Sequence, residues 1–208
     1  MGIHELPFPI VWENNVQAGY GGNQAWFLQA FQRTAGCASV AGANLAAYYA
    51  SQHPECRGLY KGDIERFSKS DYMQLMEKVY RYMTPGPMGF PVARQFVHKF
   101  LLFAGDNGTM LKAHTLFHHQ SREGRMRFLK EAIANGNPVA LLLLKHRSPK
   151  MRENNWHWMT ITGWAEDADG EHVIVSNLGR REVYPAELLF ENHWGNVMRM
   201  VYFSVLEP

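Results

Sequence analysis

Cysteine is scarce in this sequence: 208 residues carry two, Cys37 and Cys56. One bridge is a poor staple for a chain this long, which excludes a disulfide scaffold and points to a reducing, cytoplasmic setting. Charge of one sign is also lacking, with 21 Lys and Arg against 19 Asp and Glu, a formal +2. That surplus is too small to make a polyanion the expected partner, and "KHRSPKMR" and "SREGRMRFLK" read as solvated faces, so no nucleic acid is expected. No run of about eighteen apolar residues is present, so no membrane partner is expected either. The opening "MGIHELPFPIVWENN" lacks the basic and then apolar regions of a secretory signal, and Leu6 stands where a myristoylation site needs Ser or Thr.

With 46% hydrophobic and 19% charged residues, disorder is excluded, and the length suits one domain spanning 1–208. Residues 1–36 are rich in Gly, Asn and aromatics and are expected to be loop, apart from an apolar run at Phe8 to Trp12. Helical spacing then runs from about Cys37 to Ala50, where small residues on every side imply a helix buried all round. In "SKSDYMQLMEKVYRYM", Ser70 is the expected N-cap of a second helix whose methionine stripe belongs to the core. "VARQFVHKFLLFAG" gives a third, stopped by Gly105, and Ser121 to Asn135 a fourth.

From Pro138 the texture changes to strands: "PVALLLLK", "WHWMTITGW", "HVIVSN", "REVYPAEL" and "NVMRMVYFSVLEP", with "DADG" a hairpin turn. A helical part of about 37–136 followed by a mostly antiparallel sheet of about 138–208 gives an α+β fold.

The candidate chemistry begins in "QRTAGCASVAGANLAAYY". A buried structural thiol needs no glycine before it and no helix mouth around it. A nucleophilic thiol gains from both, because unpaired N–H groups at a helix start favour the thiolate and can also hold an oxyanion. Cys37 then needs a base, and ten histidines compete for the role. His114, His118 and His119 lack a third ligand for a metal and are expected on a polar helix face or loop; no metal and no cofactor are expected. His157 differs, since it starts a strand between Trp156 and Trp158. Asn177 ends the next strand across the hairpin, where its amide oxygen can accept from one imidazole nitrogen and leave the other facing the thiol.

The segments "QRTAGCASVAGANLAAYY", "NNWHWMTITGW" and "VIVSNLG" resemble, in that order, three signature regions of the papain-like cysteine peptidases in the broad sense. The strand signature of that family, His-x-apolar-x-x-x-Gly-aromatic, is matched by His157, Met159, Gly163 and Trp164. "FLKEAIANGNPVALLLL" is similar to the helix and strand before the histidine in the compact bacterial branch typified by bacteriocin-leader peptidases. The resemblance covers Gln24 to Ala50 and Arg127 to Tyr184. It departs from papain itself around the nucleophile, which reads Ala35, Gly36, Cys37, Ala38, Ser39 instead of Cys-Gly-Ser-Cys-Trp. Few residues precede Cys37, so no long inhibitory prosegment is expected, and a narrow substrate range follows.

The resemblance implies a papain-like fold with Cys37 opening a central helix, and a thioester route with Cys37, His157 and Asn177 as nucleophile, base and orienting amide. It implies Gln32 as oxyanion donor, with Gln29 and Gln24 as alternatives because Gln32 lies one residue too close to the cysteine. Gly36, Trp156 and Trp158 are expected to contact substrate, with Trp164 as a further wall. The expected partner is a peptide or other amide. Two alternatives stay open: an amine acyltransferase of transglutaminase-like type, and a peptide- or protein-binding module without catalysis. Cys56 has no assigned role.

Overall fold

Hydrophobic period decides most elements in the computed structural model, which describes residues 2–206. Strands β1 (Gly2–Glu5), β2 (Ile10–Glu13) and β3 (Val16–Tyr20) lead into a 3-10 turn at Gln24–Trp26, then α1 (Ala30–Ala35) and α2 (Cys37–Gln52). A second 3-10 turn (Pro54–Leu59), β4 (Phe67–Ser68), α3 (Lys69–Tyr82), α4 (Ala93–Asp106), β5 (Leu111–Leu116) and α5 (Arg122–Ala134) follow. The last third holds β6 (Val139–Lys145), a 3-10 turn (Pro149–Asn154), β7 (His157–Asp167), β8 (Gly170–Asn177), β9 (Arg180–Pro185), α6 (Ala186–Leu189) and β10 (Val197–Val205). The fold is α+β as expected, with α2 packed on an antiparallel sheet.

That sheet runs β5-β10-β6-β7-β8-β9, and β1 pairs with the far half of β7; every one of these pairings is antiparallel. Side-chain alternation along β6 feeds two cores. Ala140 and Leu142 join Trp158, Val201 and Phe203 under α2, α3 and α4. Val139, Leu141 and Leu143 join Met159, Ile161, Val173 and Val175 under α5 and α6. The apolar run "PVALLLL" is thus a strand covered on both faces. Burying one such leucine stabilises the fold by about 2 kcal/mol.

Every residue of α2 from Cys37 to Ala50 is buried, as its small residues require. One polar residue on it, Asn44, ties the helix to four other segments. Its Oδ1 accepts from the Gly22 N–H (2.8 Å) and the Tyr72 hydroxyl (2.7 Å), and its Nδ2 donates to Thr160 Oγ1 (3.2 Å) and Ser176 Oγ (3.4 Å). The middle of α2 is therefore held in fixed register over the first half of β7 and the end of β8.

Four local expectations change. The first 36 residues are not mostly loop: Asn14 and Asn15, at φ 50° and 64°, form a two-residue turn that pairs β2 with β3. β1 fits against β7 only because Gly163 has no side chain, since a Cβ there would lie 2.5 Å from the His4 carbonyl oxygen. The α3 cap is Ser68, whose hydroxyl accepts from the Asp71 N–H, so Ser70 sits inside the first turn. Helix α4 passes through Gly105 and is capped by Asn107. His114 belongs to β5, not to a helix or loop, and stacks on Tyr202 with ring centroids 4.5 Å apart. No helix among the described residues is long and apolar enough to cross a membrane.

Candidate active site

Helices α1 and α2 meet at Gly36, which is the N-cap of α2. A side chain there is impossible without rearrangement, because a Cβ would lie 2.5 Å from the Gln32 carbonyl oxygen and 2.7 Å from the Phe27 ring. Close approach, and not an unusual backbone angle, explains the glycine before the cysteine. The next residue, Cys37, opens α2 and is 7% exposed.

The electrostatics of that thiol differ from expectation. Burial pushes Cys37 above the ordinary thiol range, although the backbone N–H groups of Trp158, Ala38 and Cys37 itself pull in the other direction. Desolvation therefore outweighs the helix start, and the resting group is the neutral thiol. Its approach to the Trp158 N–H places the sulfur beside the first two residues of β7.

His157 is the first residue of β7, and its Nε2 lies 2.9 Å from Asn177 Oδ1 at the end of β8. The expected amide–imidazole pair is therefore formed. Burial lowers the pKa of His157, opposed by the bond to Asn177 and by the charge of Glu182. With Nε2 donating to an amide oxygen, Nδ1 keeps its lone pair. Cys37 and His157 border one crevice with Gly22, Gln24, Asn44 and Leu178. No hydrogen bond joins the sulfur to the ring among the described residues.

Of the three glutamines, Gln24 reaches that crevice. It is 9% exposed, its Nε2 donates to the Arg33 carbonyl at 2.5 Å, and its Oε1 has no partner. Gln32 does not reach it. Its Oε1 accepts from the Gln29 N–H and its Nε2 donates to Glu77 Oε2 (2.8 Å), which caps α1 and ties it to α3. The short helix α1, unforeseen in the sequence, turns Gln32 away from the cysteine, while Gln24 lines the crevice that Cys37 borders.

On its other side Cys37 borders an apolar crevice formed by Met88, Phe90, Pro91, Leu142, Leu144 and Trp156. Met88 stands at the tip of a tight turn closed by paired bonds between Gly86 and Gly89. The indole N–H of Trp158 donates to the Phe90 carbonyl (2.8 Å) and its ring stacks on Phe96 at 4.2 Å, so Trp158 anchors that wall. Trp164 does not contribute. It stacks on His4 (4.3 Å) and under Lys130.

Trp156 and Leu178, the residues before His157 and after Asn177, adopt φ 59° and 49° and are 55% and 39% exposed. Bulky side chains rarely hold the left-handed region, at a cost of about 1–3 kcal/mol each. The two flank the imidazole–amide pair, one at the rim of each crevice.

The second thiol is remote. Cys56 lies beyond the far end of the sixteen-residue α2, about 24 Å along the helix axis from Cys37, too far for a bridge, and both are free. No cluster of three or more His, Cys, Asp or Glu among the described residues is arranged to hold a metal ion.

No protein-family model matches the chain, and no curated protein matches it. Among solved structures the chain is similar to the crystal structure of the Pseudomonas avirulence protein AvrPphB, at 10% identity and a TM-score of 0.40. The likeness covers 85% of this chain and 95% of that one. It carries no weight for the chemistry, which rests on the geometry of the site.

That geometry supplies a thiol, a neutral imidazole with a free nitrogen, an amide that orients it, and a buried glutamine beside backbone N–H groups. Beyond the predicted set it adds Asn44, which fixes α2 over the sheet, and Asn154, Glu182 and Tyr184 around Asn177. The exposed charge pattern of β9 gave no sign of that role in the sequence.

Proposed function

We propose that this chain is a papain-like cysteine hydrolase that opens a peptide or other amide bond through a thioester on Cys37. The observation that carries the reading is that Cys37, at a helix start, and the His157–Asn177 pair border one crevice although they come from distant parts of the chain. The ordered sequence motifs support the same class, while nearer kinship with the bacteriocin-leader branch rests on sequence alone.

In this scheme the thiol is neutral at rest, so His157 Nδ1 takes its proton as Sγ attacks the carbonyl carbon. The Asn177 oxygen holds the ring so that the same nitrogen returns the proton to the leaving amine. The Cys37 N–H and the Gln24 amide stabilise the oxyanion, each by about 3 kcal/mol. Water then opens the thioester. The crevice of Met88, Phe90 and Leu142 takes an apolar side chain of the acyl half, and its tightness favours a narrow substrate range.

An activated ester tests this directly, with the adduct located by mass spectrometry. A covalent acyl group on Cys37, turnover abolished by Cys37→Ala and strongly reduced by His157→Ala, is the expected result. Acylation elsewhere, or none, overturns it. Partition of the trapped acyl group between water and added amine separates hydrolysis from amine acyl transfer.

A second reading is a binding module without catalysis, favoured by the burial that raises the Cys37 thiol. Peptide binding retained by Cys37→Ala together with no turnover by the native chain is its signature.

A further inference from the structure

Behind the imidazole–amide pair lies a carboxylate that the proposed chemistry does not use. Asn177 Nδ2 donates both its hydrogens, one to Asn154 Oδ1 (3.1 Å) and one to Glu182 Oε2 (2.9 Å). Tyr184 donates to the same Glu182 oxygen at 2.5 Å, and Asn154 Nδ2 donates to the Tyr184 hydroxyl (3.2 Å). The other Glu182 oxygen faces the Arg180 guanidinium at 3.1 Å. Register explains the grouping. Glu182 pairs with Val175, two residues before Asn177, and Tyr184 pairs with Val173, so the side chains of Asn177, Glu182 and Tyr184 share one face of the sheet.

We infer that Glu182 is a positioning residue: by holding the Asn177 amide in one orientation, it fixes which nitrogen of His157 carries the hydrogen. Turning the amide over would set its oxygen against the Glu182 carboxylate and the Asn154 carbonyl, two acceptors with no proton to share. The orientation left is the one with Oδ1 toward His157, which requires hydrogen on Nε2 and frees Nδ1 as the base. A triad whose orienting member allows the wrong tautomer loses most of its rate. Glu182 also places negative charge near the ring, favouring the imidazolium that forms during attack.

Cys37 from α2 borders the same crevice as His157, Glu182 from β9 acts on the ring through its charge, and Arg180 and Tyr184 from β9 contact Glu182; Arg152 and Glu153 on the preceding turn are exposed. The value of this device rests on the proposed hydrolase chemistry, but the tautomer itself does not, so the two fail separately.

Long-range proton–nitrogen NMR of the full chain with labelled histidine reads the His157 tautomer and its titration without any substrate. The native protein is expected to show hydrogen on Nε2 in the neutral ring. Glu182→Gln keeps an acceptor for the amide while losing charge, so the tautomer stays and the His157 midpoint moves to lower pH. Glu182→Leu removes the acceptor, so both tautomers appear and alkylation of Cys37 slows about tenfold or more. A Glu182→Leu protein with native tautomer and native alkylation rate overturns the inference. Should that variant not fold, a Glu182→Gln protein with an unmoved midpoint overturns it instead. A native tautomer as expected in a chain that never acylates would leave this inference standing and remove the hydrolase reading.

Discussion

Gln24 and Gln32 have different tasks, and substitution separates them. Gln24→Ala removes a donor beside the thiol, so kcat is expected to fall by roughly a hundredfold to a thousandfold with little change in melting temperature. Gln32→Ala breaks the cap of α1 and the bond to Glu77, so it costs about 1 kcal/mol in a denaturant titration and leaves the rate alone. Spacing along the sequence could not assign these roles, because it counts residues and not the turn that α1 inserts between Phe27 and Gly36. Cys37, His157 and Asn177 were legible because a helix mouth, a strand start and a hairpin end are each marked by their neighbours. Glu182 was not, since a charged residue on a half-exposed strand looks the same whether it faces water or an amide. Leu178→Gly is expected to gain about 1 kcal/mol by releasing its left-handed backbone, while loosening the rim next to Asn177 and slowing turnover.

At the scale of elements, the site depends on α2 keeping its register over β7 and β8, and Asn44 supplies the link. Asn44→Leu strands the Gly22 N–H and the hydroxyls of Tyr72, Thr160 and Ser176 without their shared partner. A loss of about 2–4 kcal/mol in unfolding free energy is expected, measured by denaturant titration. Helices α2 to α5 and strands β6 to β10 were legible because each carries a full hydrophobic period or a continuous apolar run. The elements that escaped notice carry neither. β1 has four residues and exists because β7 outruns β6 and offers an open edge beside Gly163. β5 is half polar and takes its place from pairing with β10. The Asn14–Asn15 pair did carry a hairpin signal, hidden in a stretch whose glycines and aromatics resemble loop.

For the whole molecule, one buried histidine, His146, and one half-buried, His157, set the acid limit. His146 accepts from the Ser148 N–H at Nδ1 and faces the Leu188 carbonyl through Nε2, an arrangement open only to the neutral ring, and burial lowers its pKa as it does that of His157. Because the folded values lie below the ordinary 6.5, the unfolded chain binds more protons as pH falls through that value. Stability is therefore full above about pH 6.5 and declines below it, by at most about 1.4 kcal/mol per pH unit for each ring. Cys37, raised by burial, and Cys56, raised to about 11, act oppositely, so stability declines again as pH rises above the ordinary thiol value of 9.0. Thermal unfolding across pH checks both limits, and His146→Gln is expected to flatten the acid one.

The convergence of sulfur and imidazole is tested most directly by the rate of Cys37 alkylation with iodoacetamide near neutral pH, resolved by peptide mass spectrometry. Cys37 is expected to react faster than Cys56, and His157→Ala to slow it by about a hundredfold. A Cys37 rate no greater than that of Cys56, and unchanged by His157→Ala, would contradict the account.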